Sequence, residues 1–67
     1  MDITFSERAL QRLTLAQRDA LLQIAANFKE TNVEVHTAFD LPDDYIAVHL
    51  TVSNYYLGID KDGRASS

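Results

Sequence analysis

The spacing of apolar residues divides the chain into a helical part followed by a stranded part. Leu21, Ile24, Ala25 and Phe28 recur at the i, i+3, i+4, i+7 positions of one helix face, with Ala20 and Leu22 alongside. Arg18, Asp19, Gln23, Asn27 and Glu30 take the other faces, so the spacing predicts an amphipathic helix near residues 15–29 that lies on a sheet. Thr14-Leu15-Ala16-Gln17 marks its start: a hydroxyl with a Gln three positions later can cap the helix reciprocally. Thr31-Asn32 is expected to close it, since Asn tolerates left-handed backbone. Upstream, Ser6 is an N-cap candidate with Glu7 in the first turn, which predicts a short helix near residues 7–12 with Leu10 and Leu13 on one face. A single bent helix over residues 7–29 is the alternative. Ile3-Thr4-Phe5 alternates and allows a short leading strand.

After residue 32 the period changes from 3.6 to 2. Val33, Val35, Thr37 and Phe39 alternate with Glu34, His36 and Ala38; Ile46, Val48, Leu50 and Val52 alternate with Tyr45, Ala47, His49 and Thr51. Between them, Asp40-Leu41-Pro42-Asp43-Asp44 supplies turn formers and the single proline. Ser53-Asn54 predicts a tight turn into Tyr55-Tyr56-Leu57-Gly58-Ile59, whose odd-numbered residues form the apolar set. Asp60-Lys61-Asp62-Gly63 is a further turn, with Gly63 able to take positive φ, before the tail from Arg64.

The expected fold class is therefore α+β. One or two N-terminal helices pack on one face of a three-stranded antiparallel β-meander, in the order ααβββ, as a single small domain over residues 1–67. Register is set by phase. Phe39 opposite Ile46 would place Val35 beside Leu50 and His36 beside His49; Val52 opposite Tyr55 would place His49 beside Gly58. Val33, Val35, Phe39, Ile46, Val48, Leu50, Val52, Tyr55, Leu57 and Ile59 then face the helices. Glu34, His36, Tyr45, His49 and Tyr56 face away, so the two imidazoles are expected to meet on the open face.

Composition limits the chemistry. Apolar residues make up 46 % of the 67, enough to offset ordering entropy, so the chain is expected to fold. With no cysteine there is no disulfide, thiolate metal site or cysteine nucleophile. No apolar run approaches the roughly 18 residues of a membrane span, and no basic flank precedes an apolar stretch at the N-terminus, so a cytoplasmic protein is expected. The net charge is −4, and its distribution matters more than its sum. Glu30, Glu34, Asp40, Asp43, Asp44 and Asp60 lie in a segment without Lys or Arg, which points to a partner with a basic surface rather than to phosphate.

Acid–base catalysis needs paired groups in a shielded pocket, and Asp43-Asp44 beside Pro42 reads as solvated turn, so no enzyme and no cofactor are expected. His36 and His49 with Glu34 are the candidate metal ligands, and adjacent imidazolium groups would repel, so a metal- or pH-responsive regulator is one alternative function. Arg8, Arg12 and Arg18 would carry a weak nucleic-acid contact, the other alternative, which the acidic balance opposes. Asp60-Lys61-Asp62-Gly63 opens like a calcium loop but then offers Arg64 and Ala65 where a ligand and a glycine belong. The expected function is a non-enzymatic protein-interaction module, an inhibitor or adaptor of the size that phages and mobile elements make. Its candidate contacts are the open sheet face (Glu34, His36, Tyr45, His49, Tyr56) and the acidic loop (Asp40, Asp43, Asp44), with a second copy of the chain as another candidate occupant.

Overall fold

The structure, a computed structural model, describes residues 1–66. It is a small α+β fold with two helices on a five-stranded mixed sheet: β1 (Asp2–Phe5), α1 (Glu7–Arg12), α2 (Leu15–Asn27), β2 (Asn32–His36), β3 (Ile46–Leu50), β4 (Tyr55–Ile59) and β5 (Ala65–Ser66). The strands lie in sequence order. The expected three-stranded meander, β2–β3–β4, forms the antiparallel centre, and both ends extend it. β1 pairs parallel with β2, and β5 pairs antiparallel with β4. Neighbouring parallel strands need a crossover connection, and the two helices supply it between β1 and β2.

Both helices begin where the capping residues stand. Ser6 accepts from the Ala9 N–H, and Thr14 and Gln17 form the full reciprocal box. The C-terminus of α2 differs from expectation. Phe28 is the C-cap, Lys29 takes the left-handed turn at φ 52°, and Asn32 has already entered β2. Lys29 N–H donates to the Ala26 carbonyl and Glu30 N–H to the Ala25 carbonyl, the two bonds of a Schellman motif. A side chain in left-handed backbone costs about 1–2 kcal/mol. Lys29→Gly is therefore expected to stabilise the fold by about 1 kcal/mol, read as a higher urea midpoint at unchanged slope.

The core lies between the helices and one sheet face. Leu21 and Ala25 of α2 and Ala9 of α1 are buried with Val33, Val35, Ile46, Val48, Leu50, Leu57 and Ile59. Ile3 and Phe5 of β1 pack at its edge. Each fully buried Leu, Ile or Val contributes roughly 1.5–3 kcal/mol. Four residues expected in this layer lie outside it: Phe28, Phe39, Val52 and Tyr55. Under α1 the buried residue is Ala9, and Leu10 is exposed. Phe39 is fully exposed because β2 ends at His36 and the loop begins at Thr37. Val52 is 71 % exposed because β3 ends at Leu50. Tyr55 is half-exposed, its ring stacked on Phe28 with centroids 5.1 Å apart.

These earlier strand ends move both registers by two residues. Leu50 faces Val33 rather than Val35, and Tyr55 faces Leu50 rather than Val52. Residues 51–54 form the β3–β4 connection, which is longer than the two-residue turn expected. There Asn54 takes φ 54°, and the Thr51 hydroxyl donates to the Asn32 carbonyl.

Two buried polar side chains hold the connections. Glu30, expected on the solvent face, is buried. Its carboxylate accepts from the backbone N–H groups of Thr31, Asn32, Val52 and Ser53 at 2.9–3.2 Å. Gln17 is wholly buried, and its amide donates to the carbonyls of Asp44 (2.9 Å) and Ile59 (3.1 Å). At the β4–β5 turn, Gly63 has φ 87°, and a β-carbon there would stand 2.8 Å from the Ala16 carbonyl oxygen, so only glycine lets this turn lie against α2. Among the described residues, no helix is long and apolar enough to cross a membrane.

Candidate functional site

The sheet face away from the helices carries two cross-strand rows. The first runs Thr4, Glu34, His49, Tyr56 across β1 to β4. The second runs His36, Ala47, Gly58, Ser66 across β2 to β5. The first row is long and polar. The second falls from an imidazole to three small residues, and that step in side-chain size hollows the surface. Gly58 also permits a close approach from above: a β-carbon there would lie 3.2 Å from Tyr45 Cδ2 and 3.5 Å from Leu41 Cδ1.

The loop after β2 forms the far wall. Leu41 N–H donates to the Ala38 carbonyl and Tyr45 N–H to that of Pro42, and these two turns fold residues 37–45 back over the sheet. The result is an open concavity of about 600 Å³, with Ala47, His49 and Gly58 in its floor, Ala38, Asp40 and Leu41 along the loop, and Glu34, His36, Tyr56 and Ser66 around the rest. A volume of this size lies within the range of ligand pockets, roughly 300–1,000 Å³.

His36 and His49 share this face but are not opposite each other. His36 faces Ala47, and His49 faces Glu34. They meet through the carboxylate instead: Glu34 Oε1 lies 3.4 Å from His36 Nε2 and 3.5 Å from His49 Nδ1. The His49 ring stacks on Tyr56 with centroids 4.0 Å apart and planes 7° from parallel. Its other nitrogen, Nε2, is buried with no hydrogen-bond partner among the described residues. Among the described residues no set of three or more His, Cys, Asp or Glu side chains is arranged to hold a metal ion.

Of the loop carboxylates, only Asp40 lines the concavity. Asp43 and Asp44 are exposed outside it, and Asp44 contributes its carbonyl to Gln17. Tyr45 is half-buried and roofs Gly58 rather than facing solvent. On the helical side, Arg8 and Arg18 are exposed, whereas Arg12 is half-buried and reaches the Tyr45 carbonyl at 3.5 Å. Sequence reading did not anticipate the contributions of Ala38, Leu41, Ala47, Gly58 and Ser66. One signal was available, since a glycine inside a strand marks a close approach by other atoms. Comparison of the chain with family models, curated proteins and solved structures returned no match.

Proposed function

We propose that the chain is a non-enzymatic protein-interaction module that masks or bridges a partner by receiving one of its segments in the concavity of the open sheet face. The observation that carries this reading is the concavity itself: about 600 Å³ of hollow on a 67-residue chain, floored by small side chains and edged by an aromatic ring. Nothing in the fold requires that shape, because the core lies on the other side of the sheet. Tyr56, 64 % exposed and already stiffened by its stack on His49, offers contact area at little further entropic cost. The masking of an active surface and the bridging of two proteins would both use this face.

Filling or stripping the hollow tests the reading. Ala47→Leu raises its floor, and Tyr56→Ala removes its aromatic edge. Both positions are at least partly exposed, so folding should survive, which circular dichroism can check. Proteins retained from a host extract by the immobilised wild type and released by excess soluble chain should bind each variant at least about tenfold more weakly. Gln23→Ala on the exposed helix face should retain them fully. If all three variants keep the same proteins at the same strength, the partner sits elsewhere.

A further inference from the structure

We propose that in the free chain the hollow is covered by a second copy, with Phe39 of each chain seated in the hollow of the other. The inference concerns the chain alone and needs no other partner, so it stands apart from the reading above. Two complementary features of one surface lead to it. Phe39 is 104 % exposed, the most exposed of the large apolar side chains among the described residues. It is the second residue of the turn closed by the Leu41 N–H and the Ala38 carbonyl, and its ring stands clear of the rest of the chain. Beside it lies a socket with Ala47 and Gly58 in its floor and Leu41 on its wall.

Position makes the exchange reciprocal. Ala38 and Asp40 both line the hollow, so Phe39 between them stands on its rim, consecutive Cα atoms being about 3.8 Å apart. A knob and a socket that adjoin on one surface are both satisfied by a two-fold axis passing between them, since each copy gives its ring and receives the other. Any other partner would have to bring a knob and a socket of its own. Space is sufficient: a benzene ring fits a cavity of about 150 Å³. The hollow of about 600 Å³ therefore has room for the ring and the loop backbone that carries it.

Size and charge set the strength. An aromatic side chain buries roughly 150–250 Å². Two rings and the walls that receive them thus bury about 600–1,000 Å², less than the roughly 1,200–2,000 Å² of a stable interface. The pair also gathers Glu34 and Asp40 of both copies, and no Lys or Arg contributes to the lining to offset them. The dimer is therefore weak, and it tightens when salt screens that repulsion.

Sedimentation equilibrium of the full chain from about 10 μM to about 1 mM tests this, with the amide resonances followed over the same range. Partial dimerisation is expected by the upper concentration, with movement at Phe39, Ala47 and Gly58. Association should be tighter in about 0.5 M salt than in about 0.05 M. In a mixture of isotope-labelled and unlabelled chains, the Phe39 ring protons should show contacts to the Ala47 methyl of the other copy. Phe39→Ser and Ala47→Leu should each weaken association at least about tenfold, which leaves the chain monomeric over this range. Leu15→Ser, at another exposed apolar side chain, should leave it unchanged. Circular dichroism checks that each variant folds. A wild-type chain that stays monomeric at about 1 mM overturns the proposal, as does undiminished association of Phe39→Ser. Equal weakening by Leu15→Ser would mark indiscriminate apolar contact and overturn it as well, and so would association that weakens with salt.

Discussion

Gln17→Leu is expected to cost about 3 kcal/mol, which for a domain of this size lowers the melting temperature by roughly 15 °C. Leucine keeps the volume, so the loss isolates the hydrogen bonds. Three are made by the amide: Thr14 N–H donates to Gln17 Oε1 at 2.9 Å, and Gln17 Nε2 donates to the carbonyls of Asp44 and Ile59. With an apolar group in that place, one N–H and two carbonyls lose their partner around a wholly buried position, each costing about 1–3 kcal/mol when water cannot reach it. Partial access of water near Thr14 and Asp44 keeps the total toward the lower end. The same bonds tie the start of α2 to the end of the loop that walls the concavity, so the amides of Leu41 and Tyr45 should lose exchange protection more than those of β1. Thermal and urea unfolding measure the stability, and hydrogen exchange measures the asymmetry. A loss under about 0.5 kcal/mol would mean that these groups are satisfied some other way.

The second large effect belongs to Glu30, and it carries a pH signature. Burial pushes its carboxyl upward. The backbone N–H groups of Asn32, Ser53 and Val52, with the Ser53 hydroxyl, outweigh burial and lower it from the ordinary 4.5 to about 2. A carboxyl lowered by folding stabilises the native state fully above its unfolded value. That contribution is lost as pH falls through the folded one. The stability supplied by Glu30 should therefore be complete above about pH 5 and fade between 4.5 and about 2. Glu30→Gln turns an amide donor toward backbone donors and removes the charge, so it should be clearly less stable at neutral pH. The gap between wild type and variant should close progressively below pH 4.5. Urea midpoints measured from pH 7 to pH 2 give that comparison, and two parallel curves would show that the carboxylate is not the acid-sensitive element.

Glu30 also reaches the candidate site through register. By holding the Val52 and Ser53 N–H groups, it keeps those residues in the connection and ends β3 at Leu50. Tyr56 then falls opposite His49 and Gly58 opposite Ala47. Had Val52 continued the strand, Gly58 would have faced His49, and the row of small residues would have been broken by an imidazole.

Several features were legible in the residues alone because their causes are local. Ser6, Thr14 and Gln17 announce helix starts, since capping bonds span three residues. The alternation from Val33 onward assigned Val33, Val35, Ile46, Val48 and Leu50 to the core, and Glu34, His36 and His49 to the open face. Those assignments survive the change in register because side chains alternate with period two: a slip of two residues changes every partner and no face. Gly63 as a positive-φ turn was equally readable.

What the tertiary structure decided depends on groups distant in the chain. The pairing of β1 with β2, the burial of Glu30 and Gln17, and the end of β2 before Phe39 follow from which backbone groups find partners across the fold, which no short pattern encodes. The candidate site belongs to this second class. Sequence alternation determined which side chains stand on the open face, a local matter of pleat. Only the alignment of three strands set Ala47, Gly58 and Ser66 in one line, with Leu41 over Gly58, because a hollow is a property of neighbours across hydrogen-bonded strands and not of any one strand.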